Sequence, residues 1–328
     1  MKLSYKLASA AFGIALATGP AFADFPERNI ENIYPWNPGA TMAASQVIAD
    51  AMGEELGVNI SVVSTPGAGG VKAFETALSR EADGYTIFDG YVAPLVLQPM
   101  QGNADWSYED FTPLWSATAN AFAIAVRKGE DRFTDLPSLI EYMRERPGEL
   151  RYSPGSAGAL PHMSAAKVMQ VSDVYGQVVP YPEIDAAVRD VRGGILDFMV
   201  INTGVYKINA ADVDILVVLS DFEAASETYG GAPLLSEYGI DIGMSGLSTM
   251  GWNWWLVRKD TPADIVIQMQ DAMGAALARD DIQARLIDMG YVPTLLGPDV
   301  YIETVGPIAE QIKGGIDAIA WEQEQLGQ

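Results

Sequence analysis

Apolar and polar positions along this chain switch repeatedly between two periods, and the switches fall at small-residue turns. Residues 34–56 (YPWNPGATMAASQVIADAMGEEL) set the pattern. A short apolar stretch, Ile33-Tyr34-Pro35-Trp36, meets the turn Asn37-Pro38-Gly39-Ala40. Beyond it Ala44, Val47, Ile48, Ala51 and Leu56 recur at three- and four-residue steps, which predicts a helix. Thr41 stands where an N-cap or first-turn hydroxyl belongs. A strand over 59–64 (NISVVS), the turn TPGAGG and a helix over 71–80 repeat the succession, and a buried strand over 85–89 ends at Gly90-Tyr91. Strand, glycine-rich turn and helix in alternation predict an α/β architecture with a mostly parallel sheet. In such sheets ligands sit beyond the carboxyl ends of the strands, where these turns fall.

A second series follows. Residues 122–126 (FAIAV) read as a strand and 136–146 as a helix stopped by Pro147-Gly148. The stretch RYSPGSAGALPH at 151–162 then opens through small residues onto a helix over 163–170. Short strands over 178–181, 196–202 and 215–219 and a helix over 185–191 complete the series. The aromatic concentration Gly251-Trp252-Asn253-Trp254-Trp255-Leu256-Val257 reads as a strand packed into a core, and 262–326 as helical without identifiable chemistry. Two βα layers predict two similar lobes facing a cleft, one from residues 24–125 plus 250–328 and the other from 126–249. Each has a strand-to-helix turn where open backbone N–H groups and the helix dipole favour an anion.

The first 23 residues have the form of an export signal. Lys2 and Lys6 precede a short apolar core, and Ala21-Phe22-Ala23 fits a cleavage site before Asp24. The core is too short to span a membrane, so an exported, soluble mature protein is expected, cut after Ala23 and acting as a monomer. No cysteine is present, which excludes disulfides, thiol catalysis and a lipid-modified cysteine. The formal net charge is −23, or −25 without the signal's two lysines, and argues against nucleic acid and anionic membranes as partners. The acids are scattered, without metal-ligand spacing, as befits a solvated acidic surface. Fields at physiological salt decay within about 8 Å, so local donors decide what a cleft binds.

Catalytic signatures are missing. Neither Pro66–Gly70 nor Gly155–Gly158 has the dinucleotide or phosphate-loop pattern. His162, the one histidine, has no G-x-S-x-G nucleophile to serve. Its place just after a glycine-rich loop favours a ligand or structural hydrogen bond over general-base work. A secreted hydrolase using His162 is the alternative from another class. No metal and no cofactor is expected.

The motifs in this order resemble the periplasmic substrate-binding proteins of tripartite tricarboxylate transporters, the Bug-type receptors. The residues that carry the resemblance are Trp36-Asn37-Pro38-Gly39-Ala40-Thr41, Ser64 through Gly70, Asp83-Gly84-Tyr85-Thr86, the loop ending in Pro161-His162, Pro180-Tyr181, and Gly193-Gly194 with Asp197 and Asn202. The resemblance implies a two-lobed, periplasmic-binding-protein-like (type II) α/β fold that closes on a small organic carboxylate and hands it to membrane transporter subunits. A ligand sensor feeding a signalling partner is the other alternative. Carried over from the family, Gly39, Ala40 and Thr41 on one lobe and Ser156, Ala157 and His162 on the other hold carboxylate groups. Trp36 adds an apolar wall, Tyr91 a pocket-facing side chain, and Gly69 and Asn202 complete the set.

The chain departs from the family pattern at informative places. Ala40 replaces a second glycine and Ala159-Leu160 a pair of hydroxyl residues. Ala43 and Ile201 stand where the family commonly has aspartates. Loss of both acids removes partners for an ammonium group, so a mono- or dicarboxylate is expected rather than an amino acid.

Overall fold

The computed structural model describes residues 25–181, 184–244 and 251–327. The expected export signal and the expected lobe boundary near 249 lie outside the described residues. Strands buried on both faces organise the first lobe. Its sheet runs in the order β11 (Val292–Leu296), β4 (Phe111–Ala119), β10 (Asn253–Arg258), β3 (Thr86–Tyr91), β1 (Ile30–Tyr34) and β2 (Ile60–Ser64). β1 pairs in parallel with β2 and β3, opposing Ile30 to Ile60 and Ile33 to Phe88, as strand–helix–strand crossovers require. β10 enters antiparallel between β3 and β4. Its Trp254 and Trp255 are fully buried, so the aromatic stretch is a core strand as expected.

The second sheet runs β7 (Gln177–Val178), β6 (Arg151–Ser153), β8 (Phe198–Asn202), β5 (Phe122–Arg127) and β9 (Val213–Val218). The helices follow the expected periodicity. On the first sheet lie α1 (Ala40–Leu56), α2 (Val71–Leu78), the single turn α3 (Gln98–Met100), α9 (Ala263–Leu277), α10 (Asp280–Asp288) and α11 (Tyr301–Val305). With the second go α4 (Leu136–Glu145), α5 (Leu160–Val171), α6 (Ile184–Arg192), α7 (Thr203–Asn209) and α8 (Glu223–Thr228). One apolar cluster holds α1 and α9 to the first sheet through Ile48, Met52, Trp255 and Met269, and another fills the second lobe around Leu139, Phe198 and Leu216.

Residues 122–125, assigned to the first lobe on sequence, pair in the second sheet. The helical reading of 262–326 missed β11, a proline-containing edge strand too short for a clear period. The last helix, α12 (Ile308–Gln325), was also assigned to the first lobe, but it packs along α5 of the second. Periodicity finds a helix's apolar stripe without naming what covers it. Gly315 is where α12 and α5 come closest, for an added Cβ would lie 2.7 Å from Met163 Cβ. At Gly314 the nearest atom is the end of Lys167, 3.9 Å away. Gly315→Ala should therefore destabilise the protein by about 1–3 kcal/mol through overpacking. Gly314→Ala should be neutral, or stabilising by about 0.5–1 kcal/mol through helix propensity. Urea unfolding of the two variants beside the parent checks the contrast.

Candidate functional site

α1 opens at Ala40, with Gly39 as an extended N-cap (φ 179°) and no side chain capping the first turn. The loop before it is exposed, so the first N–H groups of a 17-residue helix are left for solvent or a ligand. Thr41, expected as an N-cap or first-turn hydroxyl, lies in the first turn, and its Oγ1 accepts a 2.9 Å hydrogen bond from the Tyr291 hydroxyl. From the second lobe β8 ends at Asn202, whose Oδ1 accepts the Val205 N–H at 2.8 Å and caps α7. That bond leaves the Asn202 amide NH2 as the group with donors to offer. Thr41 and Tyr291 on one side, and Asn202, Gly204, Val205, Ile208 and Asn209 on the other, enclose a cleft of about 470 Å³. None of these side chains is charged.

The lobes meet at the edge of this cleft. Lys207 Nζ donates to the Ile287 and Asp288 carbonyls, 2.6 Å each, at the negative end of α10. Gly290 (φ +92°) lets Thr203 approach, since a Cβ there would lie 3.3 Å from Thr203 Cβ.

Behind Thr41 runs a buried polar chain. The buried side chains of Tyr34 and Tyr91 belong to it, and burial raises the pKa of both hydroxyls. Ser45 Oγ donates to Asp89 Oδ2 (2.7 Å) and Asn32 Nδ2 to Asp89 Oδ1 (3.2 Å). Asp89 is 1 % exposed, and among the described residues no cation pairs with it. Burial pushes its carboxyl up to about 7, with the Ser45 and Asn32 hydrogen bonds pulling the other way. Asn32 Oδ1, also buried, has no partner among the described residues.

The expected site residues separate into four groups. Thr41 and Asn202 share the cleft, with Gly39 and the start of α1 at Ala40 beside Thr41. Trp36 and Tyr91 form a layer in the first lobe, their rings edge to face at 5.9 Å, with Tyr91 against Tyr34 at 6.1 Å. Gly69 sits in the turn after β2 with φ +62°, a left-handed backbone conformation that favours glycine there. Ala157 and His162 line a different cavity, of about 540 Å³, between residues 177–180 and the end of α12. Ser156 is exposed in the loop beside them.

His162 is occupied on both sides of its ring. Nδ1 accepts the Gly158 N–H at 2.9 Å, which places the ring proton on Nε2, and Nε2 lies 3.2 Å from Glu322 Oε2. The Tyr152 hydroxyl donates to the same carboxylate, 3.0 Å from each oxygen. The histidine therefore fastens α12 to the second lobe. Glu322 lies on the buried stripe Ile308, Ile312, Gly315 and Ala318 of α12, and an acid on such a stripe is a signal that sequence alone offers. Tyr291 offers none: it reaches Thr41 across 250 residues.

A family model described as "Tripartite tricarboxylate transporter family receptor" matches residues 44–299. The chain belongs to that receptor family. BugT of Bordetella pertussis strain Tohama I is 26% identical over 315 residues, spanning 93% of this chain and 94% of its own. A TctC solute-binding protein from Polaromonas has a TM-score of 0.74 at 23% identity, over 89% of this chain and 99% of that one. The R. palustris protein Rpa4515, solved with adipate, has a TM-score of 0.75 at 24% identity, over 90% and 99%. The receptor fold thus has two lobes around a cleft. Family and neighbours are solute-binding receptors, and the hydrolase alternative falls. No described helix is long and apolar enough to cross a membrane.

Asp89 gives this receptor a defined pH dependence. Its carboxyl keeps a proton up to about pH 7 in the folded chain, but only to about 3.8 when unfolded. Stability from this group is full below the unfolded value and is lost as pH rises through the folded one. Asp89→Asn should remove that part of the decline and leave the variant more stable than the parent at pH 8. Urea midpoints at pH 5 and 8 for both proteins measure it. His162→Ala, for its part, should cost about 1–3 kcal/mol of stability by stranding buried hydrogen-bonding groups. Ligand affinity in His162→Ala, measured by calorimetry well below its melting temperature, should stay within about twofold of the parent.

Proposed function

We propose that this receptor, exported and acting as a periplasmic monomer, captures a small organic carboxylate between its lobes. It delivers that acid to the membrane subunits of a tripartite tricarboxylate-type transporter. The observation that carries the reading is the uncharged cleft where the start of α1 and Thr41 face Asn202 of the opposite lobe. An anion there exchanges hydration for fixed N–H, hydroxyl and amide donors, and closure of the lobes excludes water. The adipate in the R. palustris relative supports the chemical class.

The same cleft disfavours amino acids. A buried ammonium needs a carboxylate or several carbonyl acceptors. No acid lines this cleft, Ala43 is exposed on α1, and Ile201 is buried inside β8. Asp89 lies behind the tyrosines, where burial raises its carboxyl to about 7.

Calorimetry with succinate, aspartate, glutarate and glutamate tests the reading. Saturable binding of an unaminated acid, recovered unchanged, is expected, with each amino acid weaker than its partner of equal length. Thr41→Ala should weaken that binding roughly tenfold or more, as loss of a charge-assisted hydrogen bond does. Equal or tighter binding of aspartate and glutamate would overturn the preference, and a chemically altered ligand would overturn the receptor role.

A further inference from the structure

A second cavity, of about 190 Å³, opens between the same lobes next to the polar cleft. Phe222, the N-cap of α8, and Ala224 in its first turn wall it from the second lobe, and Ile287, Val292 and Pro293 from the first. Tyr291 lines both cavities, its hydroxyl held on Thr41. Helix α7 borders both as well, with Ile208 and Asn209 on the polar cleft and Lys207 on the apolar cavity. Ile208, 82% exposed, gives the polar cleft an apolar lip.

Two charged side chains reach the apolar cavity. The Lys207 ammonium is already engaged by the Ile287 and Asp288 carbonyls. Glu227 is the other, and its carboxylate repels an anion entering from the polar side. The cavity thus offers mainly apolar walls, with a lysine that already gives two of its three N–H groups to backbone carbonyls, and its size suits a short hydrocarbon chain rather than a protein segment.

We infer that the receptor is built for a monocarboxylate with an apolar tail. The carboxylate sits at Thr41 and Asn202, and the tail passes Tyr291 into the cavity of Phe222, Ile287 and Val292. The inference rests on the carboxylate reading of the polar cleft and adds a direction to it: length is rewarded, and a second carboxylate at the far end is penalised. Each methylene that leaves water for these walls is worth about a fourfold gain in affinity.

The test is calorimetry at pH 8 on the full mature receptor, with butyrate, hexanoate, octanoate and adipate. Hexanoate should bind roughly tenfold or more tightly than butyrate, and more tightly than adipate, which has the same six-carbon chain. Ala224→Trp, which fills the cavity, should abolish the gain with length and leave butyrate unchanged. Glu227→Gln should narrow the gap between hexanoate and adipate. Equal affinities for butyrate and hexanoate, or adipate binding at least as well as hexanoate, would sink the tail assignment and leave a carboxylate receptor standing. If none of the four acids bound, nor any acid of the shorter panel above, the receptor reading would fall and the tail with it.

Discussion

Two of the chain segments that join the lobes lie side by side and hydrogen-bond to each other. Asn120 N–H donates to Gly251 O (3.2 Å) and Gly251 N–H to Asn120 O (3.0 Å). This reciprocal pair ties the two crossings together. β4 becomes β5 just beyond it, so the two sheets cannot move apart without turning about this point. Asn120 Oδ1 also accepts the Thr203 hydroxyl at 3.0 Å, linking the crossing to the first residue of α7. The position of Asn202 opposite Thr41 follows from that anchorage. On the next strand inward, Asn253 Oδ1 accepts from Thr118 Oγ1 at 3.0 Å, so the crossing is braced on the first sheet too.

Two of the buried carboxyl groups, those of Glu322 and Asp89, are handled in opposite ways. Glu322 is fully buried and meets donors from Tyr152 and His162, which spend their hydrogen-bonding capacity on joining α12 to the second lobe. Asp89 meets Ser45 and Asn32, and burial still outweighs those bonds and raises its pKa. Desolvation disfavours the charged form by more than two neutral donors return. Below about pH 7 the polar chain behind Thr41 is thus neutral, and it places no charge against an anion in the cleft.

An acidic protein that binds acids presents a contradiction only at long range. The net charge of −23 is spread over a solvated surface, and salt screens it within about 8 Å. Inside the cleft the nearest groups decide. There the start of α1, Thr41 and Asn202 offer oriented donors, and no carboxylate lines the wall. Donors fixed by helix and strand geometry need not reorganise around an incoming anion as water does, and this holds without a lysine or arginine in the cleft.

Much of the architecture was legible in the chain. Apolar periodicity and small-residue turns mark α1, β2, α2, β3, α5 and β8 to within a few residues, because local geometry fixes where side chains point. The order of the turns marks the receptor family, and Thr41 and Asn202 reach the cleft from positions that the motifs single out. Other features depend on which surfaces meet, and no period carries that information. The partner of α12, the employment of His162 by Gly158 and Glu322, and the arrival of Tyr291 at Thr41 are contacts between segments far apart in sequence. A histidine after a glycine-rich loop suits either a ligand or a structural hydrogen bond, and its residue type does not choose between them. Only the packed structure shows that both ring nitrogens already have protein partners. Residue types and spacing determine which groups could bind an anion, whereas tertiary packing decides which of them still have a donor to give.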